Sequence, residues 1–260
     1  MKNLRKYGKP PYDVAVIHGG PGAAGEMAPV ARQLASGRGV LEPFQTAASL
    51  EGQIKELRTV LEENGDLPVT LIGFSWGAWL SFIFAANYPA TVRKLILIGS
   101  GPYEEKYIAA IQEARWERLS KEERTEAKSC MEVLDNPAAE GRSTALARLG
   151  ALFSKADAHD PIMYESEAID YQADIFQSVW KDAAQLRRSG ELFELGKRVK
   201  CPVVAIHGDY DPHPAEGVRK PLSDILKSFR FILLENCGHR PWIERQARDK
   251  FYRILKEELR

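Results

Sequence analysis

Cysteine is scarce in this 260-residue chain. Cys130, Cys201 and Cys237 are odd in number and show no C-x-x-C spacing. That argues against a disulfide framework and against a structural zinc site. Net charge is also missing: 36 basic residues balance 36 acidic ones. Composition therefore offers no general case for a nucleic-acid or acidic-membrane partner. No apolar run approaches the roughly 18–20 residues that span a bilayer. The N-terminal stretch, 1–11, is basic but has no apolar h-region, so no secretory signal is expected. These absences lead to the expectation of a soluble cytoplasmic protein with no membrane and no nucleic acid as partner. The carboxylates show no ligand spacing and the five histidines are scattered, so no metal is expected either. Internal repeats and low-complexity segments are lacking.

What is present is enough for one domain with a sizeable insertion, at an ordinary 44% hydrophobic content. The chain is organised around Val69-Thr-Leu-Ile-Gly-Phe-Ser-Trp-Gly-Ala78. Val69 to Ile72 reads as a buried strand, Gly73-Phe74-Ser75-Trp76-Gly77 as a G-x-S-x-G turn, and Ala78 to Ala86 as a buried helix. Small residues flank the serine because strand and helix must approach closely there. The helix N-terminus points its free N–H groups at any anion forming on Ser75.

Upstream, Tyr12 to Ile17 reads as a strand after a polar lead-in over 1–11. It runs into His18-Gly-Gly-Pro-Gly22, a loop needing special backbone angles. Helices are expected over Glu26–Ala35 and Leu50–Asn64, the second with Ile54, Leu57, Val60 and Leu61 as its apolar stripe. A short strand, 39–44, lies between them, and Val92–Gly99 forms another after the elbow helix. Strand and helix alternate throughout, which indicates a parallel sheet covered on both faces. From Tyr103 to about Lys197 no strand is evident. Four charged helical stretches fill this span, 104–119, 121–134, 137–153 and 162–188. Ser120-Lys-Glu-Glu123 fits a capping box. About 95 residues are too many for a crossover helix, so 103–197 is expected to be a helical cap inserted into a core formed by 1–102 and 198–260. Strands resume at Cys201–His207 and Phe229–Leu234, and an amphipathic helix, 241–259, closes the chain.

In an open parallel sheet, ligands bind beyond the carboxyl ends of the strands. The loops there carry Ser75, then Asp209 and Asp211, then His239. A serine hydroxyl is a weak nucleophile until an imidazole takes its proton, and a carboxylate must hold that imidazole in the right tautomer. The oxyanion needs fixed N–H donors. The Trp76 backbone N–H is one candidate; the other comes from the glycine loop, Gly20 first and Gly19 next.

With these motifs in this order, the chain resembles the α/β-hydrolase superfamily, whose triad runs serine, acid, histidine. The His18-Gly-Gly-Pro-Gly22 loop is similar to that of the proline iminopeptidase and related branch. The resemblance covers residue 12 to the end, apart from the cap. It implies an α/β-hydrolase fold and makes Asp211, in Gly208-x-x-Asp211, the acid beside Ser75 and His239; Asp209 is then a turn former. Two departures stand out. The family begins with two further strands, whereas only a short lead-in precedes the glycine-loop strand here, so a sheet of about six strands is expected. The branch carries Gly before its serine, and this chain carries Phe74. The iminopeptidase activity also needs acidic cap residues to hold a free amino terminus, for which Glu165, Glu167, Asp170 and Asp174 are candidates.

Other residues have plainer expectations. His18 hydrogen-bonds within the glycine loop, His207 packs, and His159 faces solvent. His213 either touches substrate or sits on a surface loop. Trp116, Tyr107, Trp180 and Tyr171 pack the cap or line an apolar pocket, with packing the simpler reading. The resulting expectation is a serine hydrolase of small esters or amides that forms an acyl-enzyme on Ser75 and needs no cofactor. Its alternatives are an aminopeptidase for N-terminal proline and a non-catalytic binder on the same fold. A homo-oligomer stays open.

Overall fold

A computed structural model describes residues 3–162 and 170–260. The strands are β1 (Leu4–Tyr7), β2 (Val14–Ile17), β3 (Ala23–Ala24), β4 (Val40–Pro43), β5 (Val69–Phe74), β6 (Val92–Ile98), β7 (Asp170–Tyr171), β8 (Val203–Gly208) and β9 (Phe229–Leu234). The helices are α1 (Ala28–Leu34), α2 (Leu50–Asn64), α3 (Trp76–Asn87), α4 (Ile108–Arg118), α5 (Lys121–Asp135), α6 (Arg142–Ala156), α7 (Ala173–Arg188), α8 (Glu191–Glu194), α9 (Glu216–Ile225) and α10 (Arg248–Glu258). Seven strands form one sheet in the order β1-β4-β2-β5-β6-β8-β9. All its neighbours are parallel except β1 with β4. This is the parallel sheet covered on both faces that the alternation indicates, and the α/β-hydrolase fold that the resemblance implies, with one strand more than the six counted in the sequence.

The extra strand lies in the segment read as a lead-in. β1 has only four residues, and Arg5 and Lys6 at its centre are exposed. Charged residues on an edge strand deter pairing with other chains, and they also hide the strand from a hydrophobicity pattern. Its pairing is firm: Leu4 faces Pro43, Tyr7 faces Val40, and the Tyr7 hydroxyl donates to Glu42 Oε2 at 2.6 Å. By contrast, β2, β5 and β8 are buried at every position. Continuous apolar runs are what a parallel sheet covered on both faces requires.

One face of the sheet packs Leu57 and Leu61 of α2 and Trp79, Phe82 and Phe84 of α3; the other packs Met27, Val30, Phe251 and Leu255 from the segments of α1 and α10. Burying side chains of this size stabilises the fold by about 1.5–3 kcal/mol each. Helix α2 starts where Ser49 Oγ accepts from the Gly52 N–H at 3.1 Å. Among the described residues no helix is long and apolar enough to cross a membrane.

Between β6 and β8 the chain is mostly helical, with two differences from the expectation. The third helix begins at Arg142 rather than 137, because Asn136 ties 136–139 into a turn: its Oδ1 accepts from Ala138 N and its carbonyl from Ala139 N. The stretch read as helix from 162 contains strand β7, which pairs antiparallel with β3 beside the glycine loop. Two residues are too few to leave a period in sequence. The capping box at Ser120 is present, with Ser120 Oγ accepting from Glu123 N and Glu123 Oε2 from Ser120 N. Leu134, Leu146, Leu149 and Leu152 build a separate small core there, while Ile175, Val179 and Ala183 of α7 join the core of α2 and α3.

Candidate active site

The turn between β5 and α3 explains its own glycines. A Cβ on Gly73 would lie 2.2 Å from the Gly77 carbonyl oxygen, and one on Gly77 would lie 2.4 Å from that of Ile17. Only glycine lets the helix start against the sheet so closely. Ser75 between them sits at φ 52°, ψ −114°, in strained backbone held by its N–H on the Ile98 carbonyl at 2.9 Å. Phe74, where the related branch has glycine, packs its ring 4.8 Å from that of His239 and 4.7 Å from that of Trp242. It serves as a floor beneath the imidazole.

Asp211 and His239 arrive from the ends of β8 and β9. Gly208 allows this: a Cβ there would lie 2.1 Å from the Cys237 carbonyl oxygen. Asp209 draws the two loops together, accepting from Asn236 N and Cys237 N at 3.1 Å each. It is thus a loop clamp. The Asp211 side chain is fully buried and accepts from His239 Nδ1 at 2.7 Å through Oδ2. Its other oxygen accepts from His213 N at 2.9 Å and His213 Nδ1 at 2.7 Å. His207 Nε2 stands 3.6 Å from Oδ2, too far for a hydrogen bond, and is spent on the His213 carbonyl at 2.8 Å. Burial alone would push the Asp211 carboxyl up, but His239, His213 and His207 around it hold it well below the usual range. An ionised carboxylate only accepts, so both His239 and His213 carry their proton on Nδ1.

For His213 the sequence offers two readings, surface loop or substrate contact. The structure buries it and stacks it on His239, ring centroids 4.5 Å apart. Its link to Asp211 was not read, because an i, i+2 contact depends on a loop conformation that residue type does not announce. Asp211, His213 and His239 also bring ligand atoms within 4.8 Å of one another, the one grouping among the described residues that could hold a metal ion.

A pocket of about 350 Å³ opens above these groups. Ser75, Trp76, Gly20, His213 and His239 all line it. Gly20 has φ +49°, a left-handed conformation suited to glycine. Gly19 does not line it; the space a Cβ would need there is filled by Phe74 and the Glu26 carboxylate. His18 lies beneath, Nδ1 on the Gly19 carbonyl at 2.8 Å and Nε2 accepting from Gln45 N at 3.3 Å. Among the described residues no hydrogen bond joins Ser75 to His239.

The remaining wall is mixed. Phe153, Tyr171, Phe176 and Trp180 supply apolar surface. Of the four aromatics weighed in the sequence, Tyr171 and Trp180 line the pocket, Trp116 packs near Phe153, and Tyr107 lies against Gly217. Charge comes in pairs: Arg115 with Asp157, bidentate at 2.6 and 2.8 Å, and Arg240 with Glu26 at 3.9 Å. Asp174 is exposed and paired with Arg142, away from the pocket lining. Asp170 pairs through its backbone with Ala24. Glu165 and Glu167 lie outside the described residues. One functional-looking residue went unread. The buried Glu244 carboxylate accepts from Gly238 N at 3.0 Å, His159 N at 2.9 Å and Asp160 N at 2.8 Å, anchoring the His239 loop to the helical segment. His159 itself is exposed, as expected.

A family model described as alpha/beta hydrolase fold matches residues 14–246. The chain belongs to the α/β-hydrolase family. It is 24% identical over 264 residues to a proline iminopeptidase of Lactobacillus delbrueckii subsp. lactis, covering 94% of this chain and 88% of that protein. Among solved structures it is similar to VinJ, at TM-score 0.67 and 18% identity over 98% of this chain and 93% of the other. It is also similar to the proline iminopeptidase of Mycobacterium smegmatis, at TM-score 0.63 and 17% identity with the same coverage of both. At such identities the structures speak for the fold alone.

Proposed function

We propose that this hydrolase is a serine hydrolase that cleaves small esters or amides through an acyl-enzyme on Ser75. The observation that carries the reading is the 2.7 Å contact between buried Asp211 and His239 Nδ1, which leaves Nε2 as a base bordering the same pocket as Ser75. In the first step Ser75 Oγ attacks the substrate carbonyl carbon while its proton passes to His239 Nε2. Asp211 keeps the tautomer and stabilises the imidazolium. The Trp76 and Gly20 N–H groups, with Gly19 as the weaker candidate, receive the oxyanion. His239 then protonates the leaving group, and a water activated by the same imidazole releases the acyl group. The segment 103–197 acts as a cap, its aromatic wall excluding water from the site. All three thiols are free, which suits the cytoplasm.

A proline-specific aminopeptidase is the second reading, favoured by the Lactobacillus delbrueckii relative named as a proline iminopeptidase. It requires a carboxylate for the substrate's ammonium group. Both described carboxylates of the pocket already face an arginine, Asp157 in a bidentate pair with Arg115 and Glu26 more loosely with Arg240 at 3.9 Å, so Glu26 is the more available of the two.

The test is labelling by a fluorophosphonate probe, native protein beside Ser75→Ala, followed by p-nitrophenyl esters and proline-p-nitroanilide. Labelling of the native protein alone supports the serine mechanism, and the substrates separate the two readings. A folded native protein that does not label sinks the mechanism and leaves a non-catalytic binder.

A further inference from the structure

The site holds two imidazoles where the proposed mechanism uses one. His239 and His213 place their Nδ1 atoms on the two different oxygens of Asp211, each at 2.7 Å. Their rings lie 4.5 Å apart and within 26° of parallel. With both Nδ1 atoms on Asp211, Nε2 is the ring nitrogen that each imidazole has left for the pocket both residues line. His213 Nδ1–H is a donor to an ionised carboxylate, so its Nε2 carries a bare lone pair. That atom has no hydrogen-bond partner among the described residues. Burial, reinforced by the neighbouring His239 and Arg115, pushes the His213 imidazole down to about 4 against the pull of Asp211. It therefore stays uncharged, and an acceptor, at neutral pH. Arg115, which lines the same pocket, spends its Nε and one Nη2 donor on Asp157.

His213 also marks a junction. It lines both the pocket at Ser75 and an adjoining groove of about 750 Å³ bordered by Ile108, Ile111 and Met131. The two spaces therefore meet at His213, the residue stacked on His239.

We propose that His213 recognises the leaving group: its Nε2 accepts a hydrogen bond from an O–H or N–H carried close to the departing atom, so the site selects esters and amides whose leaving group bears such a donor. This rests on the serine-hydrolase reading, in which His239 Nε2 gives its proton to the departing atom. The stacking of the two rings sets the His213 imidazole beside whatever His239 protonates. A hydroxyl on the next carbon but one can then bridge to His213 while the leaving oxygen takes the proton from His239. The bonds made and broken are those of acyl transfer on Ser75, and His213 gains and loses no proton.

The test compares 2-hydroxyethyl butyrate with propyl butyrate, whose leaving groups differ by one hydroxyl in place of one methyl. In the wild-type protein the expected ratio of kcat/KM is about tenfold in favour of the hydroxyl ester, the worth of one well-placed hydrogen bond. In His213→Phe, or in His213→Met if the ring is not tolerated, the ratio falls to about one. Both variants are expected to lose rate on either ester, because Asp211 loses a donor; the ratio is the readout. A wild-type ratio near one overturns the proposal without any variant, and an undiminished ratio in a folded His213 variant overturns it as well. Turnover of p-nitrophenyl butyrate and fluorophosphonate labelling are measured alongside. Their presence with a ratio near one refutes only the role of His213, whereas their absence refutes the serine mechanism and the proposal together.

Discussion

Asp211→Asn is the substitution in which the hydrogen-bond geometry makes its sharpest demand. The carboxylate has two accepting oxygens; an amide has one acceptor and one donor. Two donors from His213, its backbone N–H and Nδ1–H, converge on Oδ1, and one from His239 reaches Oδ2. If the amide nitrogen were turned to the His213 side, two buried donors would face a third, each unsatisfied group costing about 1–3 kcal/mol. The amide oxygen is therefore held toward His213, and the NH2 group faces His239. His239 must then accept at Nδ1 and carry its proton on Nε2, the wrong tautomer for a base. A loss of about 10⁴ in kcat is expected, as when the buried acid of a serine triad is made neutral. Ground-state binding changes little, since Asp211 does not reach the substrate. The assay is p-nitrophenyl acetate hydrolysis, with circular dichroism melting to show that the variant is folded. Asp209→Asn is the control. Its carboxylate serves two backbone amides of the β9–α10 loop, so the substitution should cost about 1 kcal/mol of stability and leave kcat within about tenfold. A folded Asp211→Asn protein within tenfold of wild type would show that Asp211 does not set the tautomer of His239, and the reasoning would fail.

Two further outcomes follow from packing and burial. Gly77→Ala should cost more than about 3 kcal/mol in thermal or urea denaturation, because its methyl would lie 2.4 Å from the Ile17 oxygen and 2.5 Å from that of His18. Gly37→Ala, with no atom within 4 Å of the new methyl, should stay within about 0.5 kcal/mol; equal melting of the two variants would contradict this account of the elbow. Glu26→Gln bears on pH. Burial raises the Glu26 carboxyl above its ordinary value, against the pull of Arg240 and His239. The native state therefore binds its proton more tightly than the unfolded chain, and ionisation costs stability as pH rises through the unfolded value and up to the folded one. The variant should melt higher than wild type at pH 8 and show no gain below pH 4, as read from melting curves across that range; a gain independent of pH would assign it to something other than the charge.

The sequence carried the central sheet and the three loops at its carboxyl edge because their signals are local and strong. Strands buried on both faces read as unbroken apolar runs, and the glycines around Ser75 and before Asp211 mark places where backbone meets backbone. Helix α2 and strand β9 begin and end where periodicity placed them, at Leu50–Asn64 and Phe229–Leu234. The signals that failed are of another kind. β1 is an edge strand whose charged residues mask its alternation. β3 and β7 have two residues each and exist only as each other's partner. His213 shares Asp211 through a loop turn, and Glu244 gathers three amides from segments more than five residues away in each case. The β3–β7 pairing and the bonds from Glu244 to His159 and Asp160 lie beyond any sequence window, while the short-range contacts depend on loop conformations that residue type does not announce.

The same long-range bonds decide how the helical segment relates to the reacting groups. The loop carrying His239 is held by the Asp157 carbonyl, which accepts from His239 N at 2.8 Å, and by the Glu244 carboxylate, which accepts from both sides of the junction. The glycine loop is held by β7, and Gln172 N donates to the Gly22 carbonyl at 3.1 Å. Gly22 has φ +73°, and a Cβ there would come 2.7 Å from the Gln172 carbonyl oxygen, so the two backbones meet only because the residue is glycine. One attachment thus fixes the imidazole and the other the loop that carries Gly20. The segment that shapes the pocket wall is bonded to both sides of the site beneath it, through backbone pairs and the Glu244 carboxylate, so the geometry of the site and the shape of the pocket are set together.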